Sequence, residues 1–146
     1  MEGTNTRENI AGATTMDELI CFYNNTLVDN QMGATGGNSL IALNNLVMGN
    51  TLGAFKKFGK NSAAINNLFF SNGAEDFVEF NESVIKDGNF FSTDPYIDNI
   101  TFKPASNSHC IDAGKQNYVL NGKTLIEIGV KYISGSAPDI GAVENK

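Results

Sequence analysis

Three lysines and two phenylalanines interleave in the run Phe55, Lys56, Lys57, Phe58, Gly59, Lys60. Ammonium groups beside ring faces suit a polymer of sugar acids, because the charges pair with carboxylates while the rings lie against the sugar faces. The plainer reading is a solvated loop whose lysines serve solubility. A second cluster, Glu75, Asp76, Glu79 and Glu82, holds the carboxylates that could work as a pair in glycoside hydrolysis, which needs two carboxyls about 5–9 Å apart. The same oxygens could ligate Ca²⁺, but neither the EF-hand spacing nor a nonapeptide repeat is present, so no metal site is assigned and no cofactor is expected. β-Elimination on a uronate needs a group that neutralises the substrate carboxylate and a base for the adjacent proton. The single arginine, Arg7, falls in a polar N-terminal stretch, and the single histidine, His109, falls in a late turn where a structural role is the commoner one. No set of residues is singled out as catalytic.

The whole chain narrows the classes of partner. It has 146 residues, a formal charge of −6 and a pI near 4.6. Nucleic acid and anionic membrane surfaces both require clustered Lys and Arg, so neither is expected. No stretch approaches the roughly 18 apolar residues of a membrane span, and the first residues lack the basic and apolar regions of a secretory signal. Residues 1–15 read as a polar tail, and 16–146 as one domain with enough apolar residues for a core. Cys21 and Cys110 lack paired CxxC spacing and are expected as buried thiols rather than a disulfide.

A repeat sets the architecture. Asn24–Asn30, Asn44–Asn50 and Asn66–Asn72 share one pattern: two asparagines, three mostly apolar residues, one small or polar residue, then asparagine. The copies begin 20 and then 22 residues apart. That period is too short for paired-helix repeats and lacks the leucine-rich frame, so it predicts one coil of a parallel β-helix per copy. Stacked coils would place Leu27, Val47 and Phe69 in one interior column. Before each Asn pair, Cys21 and Tyr23, Ile41 and Leu43, and Ala63 and Ile65 are expected to face the same interior. Asn25, Asn45 and Asn67 are expected to be structural, since asparagine tolerates the left-handed turn conformation and stacked amides can bond from coil to coil. Residues 31–38 and 51–61 look like insertions between coils.

After Val84 the repeat fades into a closing segment. Asp94-Pro95 followed by an aromatic, then Ile111-Asp112-Ala113-Gly114, then Asp139-Ile140-Gly141-Ala142-Val143-Glu144 resemble the closing region of pectate-lyase-like right-handed β-helix proteins, a group that includes polysaccharide lyases and bacterial surface proteins. Ser108-His109-Cys110 stands where that group commonly has Ser-Pro-Ala. The resemblance implies an all-β, right-handed parallel β-helix, a single-stranded solenoid of about three to five coils with a C-terminal closing arm. Between the two signatures, Asn121-Gly122 signals a tight hairpin within the arm. Asp112 and Asp139 are expected to cap turns through backbone N–H groups, with Gly114 and Gly141 completing those turns.

The resemblance also implies an extracellular or cell-surface setting. The function expected is a non-catalytic β-helix module, the C-terminal part or remnant of a secreted carbohydrate-active protein, binding a polysaccharide or acting structurally. The alternative is a small lyase cleaving a uronic-acid polymer by β-elimination. The sugar-acid site would be Phe55, Lys56, Lys57, Phe58 and Lys60. A second apolar column, Val28, Met48 and Phe70, points outward from the same strands and needs a cover, either the arm around 119–128, which is favoured, or a second subunit. The open first coil is expected to form a homodimer.

Overall fold

The computed structural model describes residues 18–146; the polar tail expected at 1–15 lies outside the described residues. From Ile20 the chain winds as a parallel β-solenoid of about three turns. The first coil carries β1 (Ile20–Tyr23), β2 (Thr26–Val28) and β3 (Met32–Thr35). The second carries β4 (Leu40–Leu43), β5 (Leu46–Met48) and β6 (Gly53–Lys56), and the third β7 (Ala63–Ile65), β8 (Leu68–Phe70) and β9 (Phe77–Val78). A partial fourth coil adds β10 (Ile85–Asp87) and β11 (Phe90–Phe91). Stacking these gives three parallel sheets, β1-β4-β7-β10, β2-β5-β8-β11 and β3-β6-β9. The segments 31–38 and 51–61 are therefore not insertions: they hold β3 and β6, the third face of the solenoid. Likewise the repeat extends past Val84 to Phe91.

Leu27, Val47 and Phe69 pair in register down the second sheet and are each 0% exposed. Burial of each contributes about 1.5–3 kcal/mol. Around them pack Phe22, Leu40, Ala42, Phe55, Phe58 and Ala64. The first sheet has the opposite phase from that expected. Phe22, Ala42 and Ala64 face the interior, whereas Cys21, Ile41 and Ala63, with Leu43 and Ile65, form a separate apolar cluster on the outer face. Beside the phenylalanine rings from the other two sheets the interior takes Phe22, Leu40, Ala42 and Ala64 of the first sheet, while Ile41, Leu43, Ala63 and Ile65 turn outward.

That outer face needs a cover, and the arm supplies it. β12 (Asn117–Leu120) and β13 (Lys123–Glu127) pair antiparallel through Asn121 and Gly122, both at positive φ (50° and 76°), as a two-residue hairpin turn requires. Ile126, Ile128, Tyr118 and Leu125 then pack over Ile41, Leu43 and Ile65, and the Cys21 thiol donates to the Leu125 carbonyl. The arm is thus on the first sheet, not over Met48 and Phe70. The outer face of the second sheet, with Leu46, Leu68 and Phe70, is covered instead by Ile97, Cys110, Ala113 and Ile140 of the closing segment.

Asparagine amides tie the coils together in ladders. Asn25 donates to Asn45 at 3.0 Å, Asn45 to Asn67 at 2.8 Å and Asn67 to Asn89 at 3.0 Å, and each accepting oxygen also takes the backbone N–H of the preceding asparagine. A second ladder runs the other way, from Asn66 to Asn44 and from Asn44 to Asn24. Its members sit at positive φ (50–54°), the left-handed turn that asparagine accepts at little cost. Their second amide hydrogens reach outward to the carbonyls of Asp139, Lys115 and Ala113, which fastens the closing segment to successive coils. A third ladder joins Asn50 to Asn72 and Asn72 to Asp76. Among the described residues no buried side-chain nitrogen or oxygen lacks a partner.

Candidate functional site

The third sheet carries the principal groove, a space of about 560 Å³ lined by Asn30, Gln31, Met32, Thr35, Leu52, Lys56 and Lys57. Strands β3 and β6 position it: Thr35 and Lys56 are register partners, and the turns entering these strands supply Asn30, Gln31 and Leu52. Lys57 follows β6 at φ 58°, a left-handed bend that swings its side chain along the groove edge. The walls mix an aliphatic side, Met32 and Leu52, with amide, hydroxyl and ammonium donors.

Both lysines meet one carboxylate. Lys56 Nζ lies 3.1 Å from Glu79 Oε1, and Lys57 Nζ 3.6 Å from Glu79 Oε2. The hydrogen bond from Lys56 is the leading cause that holds the Glu79 carboxyl below its ordinary range, with the two lysine charges adding to it. Glu79 is 54% exposed, so this is a solvent-screened cluster with a net charge of one positive unit.

The sequence expectation placed Phe55 and Phe58 beside these lysines as a stacking platform. Both rings are 0% exposed and stack on each other at 5.1 Å inside the solenoid, so they are core groups with no face to offer a ligand. Phe55 is buried by strand alternation, in register between Phe77 and Ala34 on the inward side, and Phe58, just past β6, stacks between Phe55 and Phe80. Lys60 is exposed on the next turn, where its backbone N–H donates to Asn38 Oδ1, and it does not line the groove. Only Lys56 and Lys57 of the five residues are brought to the groove. Asn30, Gln31, Thr35 and Leu52 were missed because no charge or motif marks them.

The aspartates of the two closing signatures are occupied structurally. Asp112 Oδ1 accepts the N–H groups of Ser136 and Ala137. Asp139 Oδ1 accepts from Asp112 N, and Oδ2 accepts from Asn145 N. Gly114 N donates to Pro138 O at 2.7 Å, and a Cβ at Gly114 would stand 2.6 Å from that oxygen. Gly141 N donates to Asn44 O, so the two closing signatures cross each other and grip the second coil. His109 Nδ1 is 2.8 Å from Asp94 O, with its ring against Tyr96. The acidic cluster is dispersed: Asp76 bonds Asn72, with burial pushing its carboxyl up, while Glu79 faces the lysines. Cys110 is buried and its thiol is pushed up to about 11, chiefly by burial. Both cysteines are free. No cluster of three or more metal-ligating side chains occurs among the described residues. Comparison of the chain with protein-family models, with curated proteins and with solved structures finds no match.

Proposed function

We propose that this chain is a non-catalytic β-helix module of a secreted carbohydrate-active protein, and that it binds an acidic polysaccharide along the groove of the third sheet. The observation that supports this reading is the convergence of Lys56 and Lys57 on one edge of an open groove whose other walls are aliphatic, amide and hydroxyl. Sugar-acid polymers present carboxylates at regular intervals along a chain of hydroxyl-rich rings, and an open groove takes a polymer lengthwise where a closed pocket would not. The Gln31 amide and Thr35 hydroxyl make no side-chain hydrogen bond to another described residue and are available to sugar hydroxyls.

Binding of alginate, polygalacturonate and chondroitin sulfate, measured by affinity electrophoresis at about 50 and about 300 mM salt, tests the reading. The wild type should bind at least one of these polymers, more weakly at the higher salt. Lys56→Ala with Lys57→Ala should weaken that binding about three- to tenfold and flatten its salt dependence. Absence of binding to all three, or an unchanged affinity in the double variant, overturns the reading. Growth of unsaturated-uronate absorbance during the incubation would favour the lyase instead.

A further inference from the structure

Glu79 does not line the groove, yet its carboxylate pairs with both lysines at the groove edge, as a ligand's would. It arrives from the third coil: Lys56 pairs with Val78 across β6 and β9, which sets Lys57 and Glu79 one above the other just beyond the strand ends. Both are at left-handed φ, 58° and 53°, so the two bends are equivalent and direct their side chains to the same side. The Glu79 carboxylate spans both ammonium groups, one oxygen to each. It makes no other side-chain hydrogen bond among the described residues, and more than half of it is exposed to solvent.

We propose that Glu79 is a specificity-determining placeholder: its carboxylate stands where the carboxylate of a bound sugar acid would pair with Lys56 and Lys57, and an acidic ligand must displace it. This inference rests on the groove being a sugar-acid site. Exposed ion pairs are weak, so the displacement is permitted at small cost, yet it is required of every acidic ligand and of no neutral one. With Glu79 in place the edge carries one net positive charge; with Glu79 turned out it carries two. The displacing ligand therefore has to bring a carboxylate that can span both ammonium groups as Glu79 does, which favours an acidic sugar over its neutral ester.

The test sets Glu79→Gln beside wild type against polygalacturonate and its methyl ester, with thermal unfolding as the check on folding. Glu79→Gln keeps the length of the side chain and removes the competing charge. It should bind polygalacturonate about two- to tenfold more tightly, with a steeper salt dependence and unchanged affinity for the ester. Glu79→Asp, which keeps the charge on a shorter stem, should fall between Gln and wild type. Should wild type bind polygalacturonate through the lysines while Glu79→Gln binds equally or less tightly, the placeholder role is refuted and the groove stands. Should Glu79→Gln bind polygalacturonate where wild type binds only alginate or chondroitin sulfate, the placeholder role is supported. Failure of both to bind removes the site and the placeholder together.

Discussion

Replacing Asn67 by alanine breaks the ladder that runs from Asn25 through Asn45 and Asn67 to Asn89. The side chain is 0% exposed and makes four hydrogen bonds. Its amide donates to Ala42 O and to Asn89 Oδ1, and its oxygen accepts from the backbone N–H and the side-chain amide of Asn45. Asn45 is itself fully buried, so the substitution strands two of its donors away from water. At about 1–3 kcal/mol for each orphaned group the loss is about 2–6 kcal/mol, with about 4 as the central expectation. Against a total stability of about 5–15 kcal/mol for a domain, that is a large fraction. Asn30→Ala is the matched control. Asn30 is half-buried, its amide reaches only Val28 O two residues away at 3.3 Å, and its backbone N–H keeps its bond to Asn50 Oδ1, so about 1 kcal/mol or less is expected. The chain has no tryptophan, so urea unfolding is best followed by circular dichroism, reading the midpoint and slope together. Equal losses for the two variants, or less than about 1 kcal/mol for Asn67→Ala, would refute the claim that the amide ladder holds the coils.

Burial that pushes the Cys110 thiol from 9.0 to about 11 keeps it neutral in the fold. Its contribution is present in full below pH 9 and lost as pH rises from about 9 through 11, to a limit of roughly 2–3 kcal/mol. Cys110→Ala should therefore flatten the fall in melting temperature over that window, and an unchanged slope would contradict it. Gly141 has φ 102°, and a Cβ there would meet Thr26 Oγ1 at 2.8 Å and Leu46 Cβ at 3.3 Å. Gly141→Ala should cost about 2–4 kcal/mol in denaturant unfolding, against about 1 kcal/mol for Gly122→Ala, which has φ 76° but open space around it.

The parts of the fold that were legible in the sequence are those where one residue type has one physical use. Asparagine pairs at matching offsets meant left-handed turns, and Leu27, Val47 and Phe69 meant a column, because each stands at the same offset from its Asn pair in every coil. The first sheet was misread in phase because β4 is buried on both faces: Leu40, Ile41, Ala42 and Leu43 are all 0% exposed, so no polar residue marks which alternate faces outward. The interior sets Ala42 and Ala64 opposite the large rings of Phe55, Phe58 and Phe69, a matching of volumes that alternation alone does not reveal. Likewise two adjacent lysines made 51–61 look like a loop, although Phe55 and Phe58 belong to the core. Glu79 was grouped with its sequence neighbours Glu75, Asp76 and Glu82 as an acidic cluster. Its distance of 22 residues from Lys57, one coil of the repeat, was the signal that could have joined them.

Coil stacking also has to stop, and Lys86 is where it does so. The inward row of the first sheet runs Phe22, Ala42, Ala64 and then Lys86. In the second sheet the interior column runs Leu27, Val47, Phe69 and then Phe91, which is 49% exposed at the end of the stack. Phe91 alone would invite another chain to continue the column, and the edges of β10 and β11 offer unpaired backbone groups for it to join. Lys86 opposes this, because a further coil laid on that end would bury its ammonium in an apolar interior at a cost of several kcal/mol. The homodimer expected from the sequence was placed at the first coil, upstream of which the residues are not described; at the fourth coil the charge should keep the end unpaired. Lys86→Val removes the charge and supplies a β-branched apolar residue in the inward position, so self-association should rise with concentration in sedimentation velocity, while Lys86→Arg should behave as wild type. Identical sedimentation of Lys86→Val and wild type across the micromolar range would show that something other than this charge closes the solenoid.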